Sequence, residues 1–194
     1  LHLSWGRCTM MLTLRDEADG IVQGAVVPLK GRFLSGPMRG AFRPADGQLY
    51  VVGCQGWQTA AARDGSFQRV RWTGKPLPLP VAWRPSRSGL QLTFNEPLDR
   101  ETAEDPDSYA LEAWNYRYAA EYGSKDWSPS RPDKEAHDTW PVAEARLQPD
   151  GRTVLLEVPD LRPVMQFGLR FNLDTAAGSS AAGELYGTIH RLRD

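Results

Sequence analysis

Apolar and polar positions along this chain mostly alternate with a period of two, the signature of strands half-buried against a core. The clearest stretch is Gly89 to Leu111, GLQLTFNEPLDRETAEDPDSYAL. Leu90, Leu92 and Phe94 fall on one face, and Gln91, Thr93 and Asn95 on the other. Pro97 stops the strand, having no backbone donor and disfavouring helix before it. A polar bridge from Asp99 to Asp107 leads to a second apolar pair, Tyr109 and Leu111. The same alternation predicts strands over Ala143–Leu147, Thr153–Val158 and Met165–Leu173, the last with Phe167, Leu169, Phe171 and Leu173 on one face. Ala176 to Gly183 reads as a small-residue turn, and Leu185 to Leu192 as the closing strand.

Towards the start, Thr9–Leu14 and Ile21–Leu29 predict a hairpin across the polar turn Arg15–Gly20, which ends in Asp19-Gly20. Met38–Arg43 and Gln48–Cys54 predict a second pair around Pro44-Ala45-Asp46-Gly47. Ser66–Trp72 sets Phe67, Arg69 and Arg71 against Gln68, Val70 and Trp72. The proline-dense stretch Thr73–Pro85, TGKPLPLPVAWRP, predicts an extended linker of polyproline character, placed at 77–87. The expected organisation is a β segment over 1–76, that linker, and a β-sandwich over 88–194 interrupted by an aromatic insertion at 113–141. With 18 Gly and 15 Pro and few helix-period segments, the class is all-β.

Charge narrows the classes of partner. Lys and Arg total 23 against 24 for Asp and Glu, a net charge of −1, which argues against a nucleic-acid or polybasic membrane surface. No apolar run approaches the ~20 residues of a membrane-spanning helix. Cys8 and Cys54 have no metal or haem-attachment spacing. They are either one disulfide, if the protein is exported, or two separate buried thiols. The chain opens at Leu1 without an initiator Met or signal peptide, which reads as a mature or truncated polypeptide.

Two motifs resemble known families. "MRGAFRPADGQLYVVG" followed by "DGSFQRVRWTGKP" resembles a blade of the six-bladed glucose/sorbosone dehydrogenase propeller. The segment holds about five strands, whereas a propeller closes with at least four blades of four strands, so the resemblance implies a partial propeller-like sheet. "LTFNEPLD", the bridge ending "DPDSY", and "ARLQPDGRTVLLEVPDLRPVMQFGLRFN" resemble the immunoglobulin-like domains of bacterial S-layer and cell-surface proteins. With "WNYRYAAEYGSKDWS", "AHDTWPV" and "YGTIHRL", the whole resembles the C-terminal region of exported proteins of Planctomycetes and Verrucomicrobia. Those join such a propeller, an immunoglobulin-like β-sandwich and often a c-type cytochrome domain.

The resemblance implies an exported protein, periplasmic or extracellular, whose partners are the remainder of the propeller or a redox subunit. Haem c or a quinone would sit on a partner or another domain, with no cofactor, catalytic residue or metal in this chain.

Candidate chemistry gathers in the insertion. His137 and Asp138, with Tyr116, Tyr118, Tyr122 and Asp126 near in sequence, offer a general base or metal ligand. The plainer reading is a pair of hydrogen-bonding residues that hold a long loop. The aromatics Trp114, Tyr116, Tyr118, Tyr122, Trp127 and Trp140 are either a platform for polysaccharide rings or a small satellite core. The expected function is a non-catalytic interaction or structural module. The alternatives are a fragment of a quinone- or haem-linked sugar dehydrogenase, or a carbohydrate-binding module.

Overall fold

Alternation carries through to the three-dimensional structure, a computed structural model that describes residues 1–121 and 123–194. Strands take 51% of the residues and helix 4%, so the protein is all-β, as expected. The strands are β1 His2–Ser4, β2 Thr9–Ala18, β3 Ile21–Pro28, β4 Gly36–Phe42, β5 Leu49–Cys54, β6 Gly65–Val70, β7 Pro80–Ser86 and β8 Gly89–Phe94. After a short helix α1, Arg100–Ala103, come β9 Tyr109–Trp114, β10 Asp138–Trp140, β11 Glu144–Leu147, β12 Thr153–Glu157, β13 Val164–Asp174 and β14 Ser180–Ile189.

The chain divides into two units, one of residues 1–13 and 28–76, the other of 14–27 and 77–194. In the first, β4, β5 and β6 form an antiparallel three-stranded sheet in that order. Leu49 and Val51 of β5 point inward onto Cys8 and Phe33, with Leu3, Met10 and Val70 packed around them. Strict alternation therefore sends Tyr50, Val52 and Cys54 to the other face.

The second unit is a two-layer sandwich. One layer orders β11-β12-β8-β7, and the other runs β3-β14-β13-β9-β10. The layers meet through aromatic pairs. Phe94 of β8 stands edge-on to Phe171 of β13 at 5.4 Å between centroids, and Trp83 of β7 lies 5.6 Å from Phe167. Leu90, Leu92, Leu111, Leu156, Leu169 and Leu185 fill the space between. At roughly 1.5–3 kcal/mol for each fully buried side chain, this core is what holds the unit together.

Five expectations change. The turn expected over Ala176–Gly183 ends by Ser179, and β14 takes Ser180–Gly183 and ends at Ile189 rather than Leu192. The stretch expected as a linker over 77–87 contains β7, which pairs with β8 from Pro80↔Phe94 to Ser86↔Gly89. Its prolines are tolerated because β7 is the edge strand of its layer. The first hairpin does not stay within the 1–76 segment. Its far half belongs to the sandwich because Ala25 and Val26 pair with Gly187 and Tyr186 of β14. The strand expected to end at Leu14 runs on to Ala18, and only Asp19 and Gly20 make the turn, both at positive φ. The insertion at 113–141 ends in a strand, since Asp138–Trp140 pairs with Leu111–Ala113.

Candidate functional site

On β9, Leu111 and Ala113 are buried while Glu112 and Trp114 face outward. The β10 register sets Asp138 opposite Ala113 and Trp140 opposite Leu111, so both point inward, and His137 comes next to Trp114 on the outer face. Trp114 also lies over Gly168 of β13, where a Cβ would sit 3.5 Å from its indole and 3.0 Å from the Tyr186 ring. Glycine at this position lets the indole lie close to the sheet.

His137 is held from both sides. Its Nδ1 is 3.0 Å from Glu112 Oε2 and its Nε2 is 2.8 Å from Asp126 Oδ2, while the imidazole stacks on Trp114. Arg170 approaches the other Glu112 oxygen at 3.6 Å. Two carboxylates can be satisfied only if both ring nitrogens donate, which is the imidazolium. Partial burial opposes that charge, but the bonds to Asp126 and Glu112 outweigh it and raise the pKa above the usual histidine value. A base or a metal ligand needs a free nitrogen lone pair. With both nitrogens donating, His137 has none, so the geometry is that of a charged clamp.

The segment inside the clamp is cross-braced. Asn115 and Trp127 exchange two backbone hydrogen bonds of 2.8 Å. The Arg117 guanidinium lies 3.8 Å above the Trp127 ring and also reaches the Pro132 carbonyl and Asp133. Lys125 pairs with Glu135 at 2.7 Å. Beneath it, buried Asp138 accepts from Ser128 Oγ and, at 2.8 Å, from the Ser130 amide. Burial would raise the Asp138 pKa, but these bonds and the Arg162 charge hold it below the usual carboxylate range.

The aromatics predicted as a platform are thus dispersed. Trp140 is buried under Arg162. Trp114 carries His137 on one face and Trp127 carries Arg117. Tyr116 and Tyr118 are exposed, and Tyr122 lies outside the described residues. Among the described residues, no group of three or more His, Cys, Asp or Glu is placed to hold a metal ion. Cys8 and Cys54 are both free. The buried Cys8 thiol turns to the Trp5 carbonyl, while Cys54 on the outer sheet face lies 3.1 Å from the Met38 sulfur.

Sequence reasoning missed a second surface, in the first unit. Outward-facing Val52 and Phe67 sit opposite each other in the β5–β6 register, and Tyr50 stacks on Phe67 at 5.8 Å. A bulge falls between Pro37 and Arg39, and Met38 there lies beside Cys54 of the same face. Met38 is 51% exposed, Val52 45% and Phe67 71%. The signal was present in the alternation of Ser66–Trp72, which put Phe67 on the face with Arg69 and Arg71 rather than with Val70.

The chain matches no family model, no curated protein and no solved structure. Among the described residues, no helix is long and apolar enough to cross a membrane.

Proposed function

We propose that this chain is a non-catalytic interaction and structural module, the C-terminal part of a larger exported, redox-associated multidomain protein. The first unit is a propeller-blade-like piece whose outer sheet face meets another polypeptide surface, either the remainder of a propeller or a redox subunit. The second is an immunoglobulin-like sandwich that serves as its scaffold. Any haem c or quinone belongs to a partner or a further domain, and the compartment is periplasmic or extracellular.

The observation that carries this reading is the exposed face of β4–β5–β6. Met38, Tyr50, Val52, Cys54 and Phe67 form one contiguous apolar surface with no layer of their own unit over it. Contiguous exposed apolar area is what interaction surfaces present, and aromatic and methionine side chains are enriched in them. The clamp at His137 supports the same reading, since it braces a loop and leaves no free base. The polysaccharide reading of the insertion loses support because Trp114 and Trp127 each have a face covered.

Capture from the exported fraction of source cells tests it. The chain should retain one defined partner, identified by mass spectrometry, with a haem or quinone absorbance in the captured material. A Val52→Glu, Phe67→Asp variant with an unchanged melting temperature should lose that partner. Equal retention by the variant would remove the face from consideration.

A further inference from the structure

The near-zero net charge hides a strong segregation. The unit of residues 1–13 and 28–76 holds nine Lys and Arg against two acids, Asp46 and Asp64, a net charge of +7. The other unit holds the remaining fourteen cations and twenty-two acids, net −8. Compensation differs as well. Among the described residues the one ion pair of the basic unit joins Arg43 to Asp46, while all the others lie in the acidic unit.

Four of the uncompensated cations gather at one place. A cleft of about 350 Å³ opens between edge strand β6 and the segment after β3. Its lining includes Phe33, Met10 and Val70, which supply an apolar floor, and Lys30, Arg32, Arg69 and Arg71, all exposed. Neither Asp46 nor Asp64 lines it, and none of the four cations is ion-paired to a described residue. Gln68 also lines the cleft. Its carbonyl oxygen accepts from the Leu34 amide at 2.7 Å and from Ser66 Oγ at 3.1 Å, and its carboxamide nitrogen donates to no described residue.

Like charges brought together repel, and without acids nearby a bound anion is what would relieve them. Guanidinium groups take phosphate and carboxylate alike through paired N–H donors. The cleft volume lies at the small end of ligand sites, ~300–1,000 Å³. We propose that this cleft binds a small polyanion, a molecule with two or more phosphate or carboxylate groups on a compact body. The cleft lies along the edge of β6, so Arg69 borders the face that carries Phe67, but Met38, Val52 and Phe67 do not line it, and the proposal stands whether or not that face binds a partner.

Calorimetric titration of the whole chain with tripolyphosphate and with citrate tests the proposal and separates the two anion chemistries. Saturable binding of either is expected. Arg32→Gln and Arg71→Gln should each weaken it about tenfold or more, the loss of a charge-assisted hydrogen bond. Arg63→Gln, a cation of the same unit outside the cleft, should change it less than about twofold, since it removes only diffuse field. No binding of either anion would overturn the proposal, as would an equal loss with Arg63→Gln. Binding of oligothymidylate with none of the small anions would assign an extended nucleic-acid surface instead and overturn it too.

Discussion

Trp114 lies flat against His137, with ring centroids 4.2 Å apart and planes within 8°. A cation over an indole face is attracted by the ring's quadrupole, so the stack, Glu112 and Asp126 all favour the same charged imidazole. The folded-state pKa of His137 is raised, so its contribution to stability is fully present below the unfolded value of ~6.5 and fades as pH rises through the folded value. NMR titration should place the His137 transition above that of a free histidine. In denaturant melts, His137→Ala should cost roughly 0.2–1 kcal/mol at pH 5.5, the range of a largely exposed pair, and less at pH 9. A cost that grows with pH would contradict the clamp.

Asp138 anchors the same loop from below. Asp138→Ala leaves buried Ser128 Oγ and the partly exposed Ser130 amide without their acceptor. A loss of about 1–3 kcal/mol is expected, with faster hydrogen exchange over 124–136. Unchanged exchange there would show that the loop does not depend on this carboxylate.

The C-terminal residues fasten the hairpin end of the sandwich. Gln23 Oε1 accepts from the His190 and Arg191 amides at 3.0 and 3.1 Å, while its amide group donates to buried Asp16. Arg193 reaches the other Asp16 oxygen at 2.8 Å. Burial raises the Asp16 pKa, but its bonds to Arg193 and Gln23 outweigh that and lower it. Stability from this group is therefore present above the unfolded value of ~3.9 and lost as pH falls through the folded one. Arg193→Ala should destabilise by about 1–3 kcal/mol, because buried Asp16 loses a charged partner that is itself partly exposed. The deficit should narrow in acid, and a pH-independent deficit would point to lost packing instead.

Thiol reactivity separates the two cysteines. Cys8 is fully buried and Cys54 is half-buried on the outer face. A chromogenic disulfide reagent should find one reactive thiol in the native protein and two in denaturant. Two sites silent even in denaturant would mean a disulfide.

Strand positions were legible because burial on one face writes itself into the alternation, as in β8 and β13. Partner choice was not. Whether Pro80–Ser86 is a linker or an edge strand depends on β8 offering it a partner. That Ala25 and Val26 belong with β14 rests on residues some 160 positions away in sequence. Glu112 was invisible as a clamp because it looks like any solvent-facing strand residue until His137 reaches it from the start of β10. The basic cleft escaped notice because net charge was summed over two units of opposite sign. Reading charge by segment would have shown Lys30, Arg32, Arg69 and Arg71 in a stretch nearly free of acids.

Hydroxyl-radical footprinting of Met38 and Phe67, in the isolated chain and in the native exported assembly, tests the interaction surface most directly. Both side chains should be oxidised readily in the isolated chain and protected in the assembly, while exposed Tyr118 on the sandwich reacts equally in both. Met38 and Phe67 oxidised to the same extent in the two states would mean that nothing covers the sheet face, contradicting the role assigned to it.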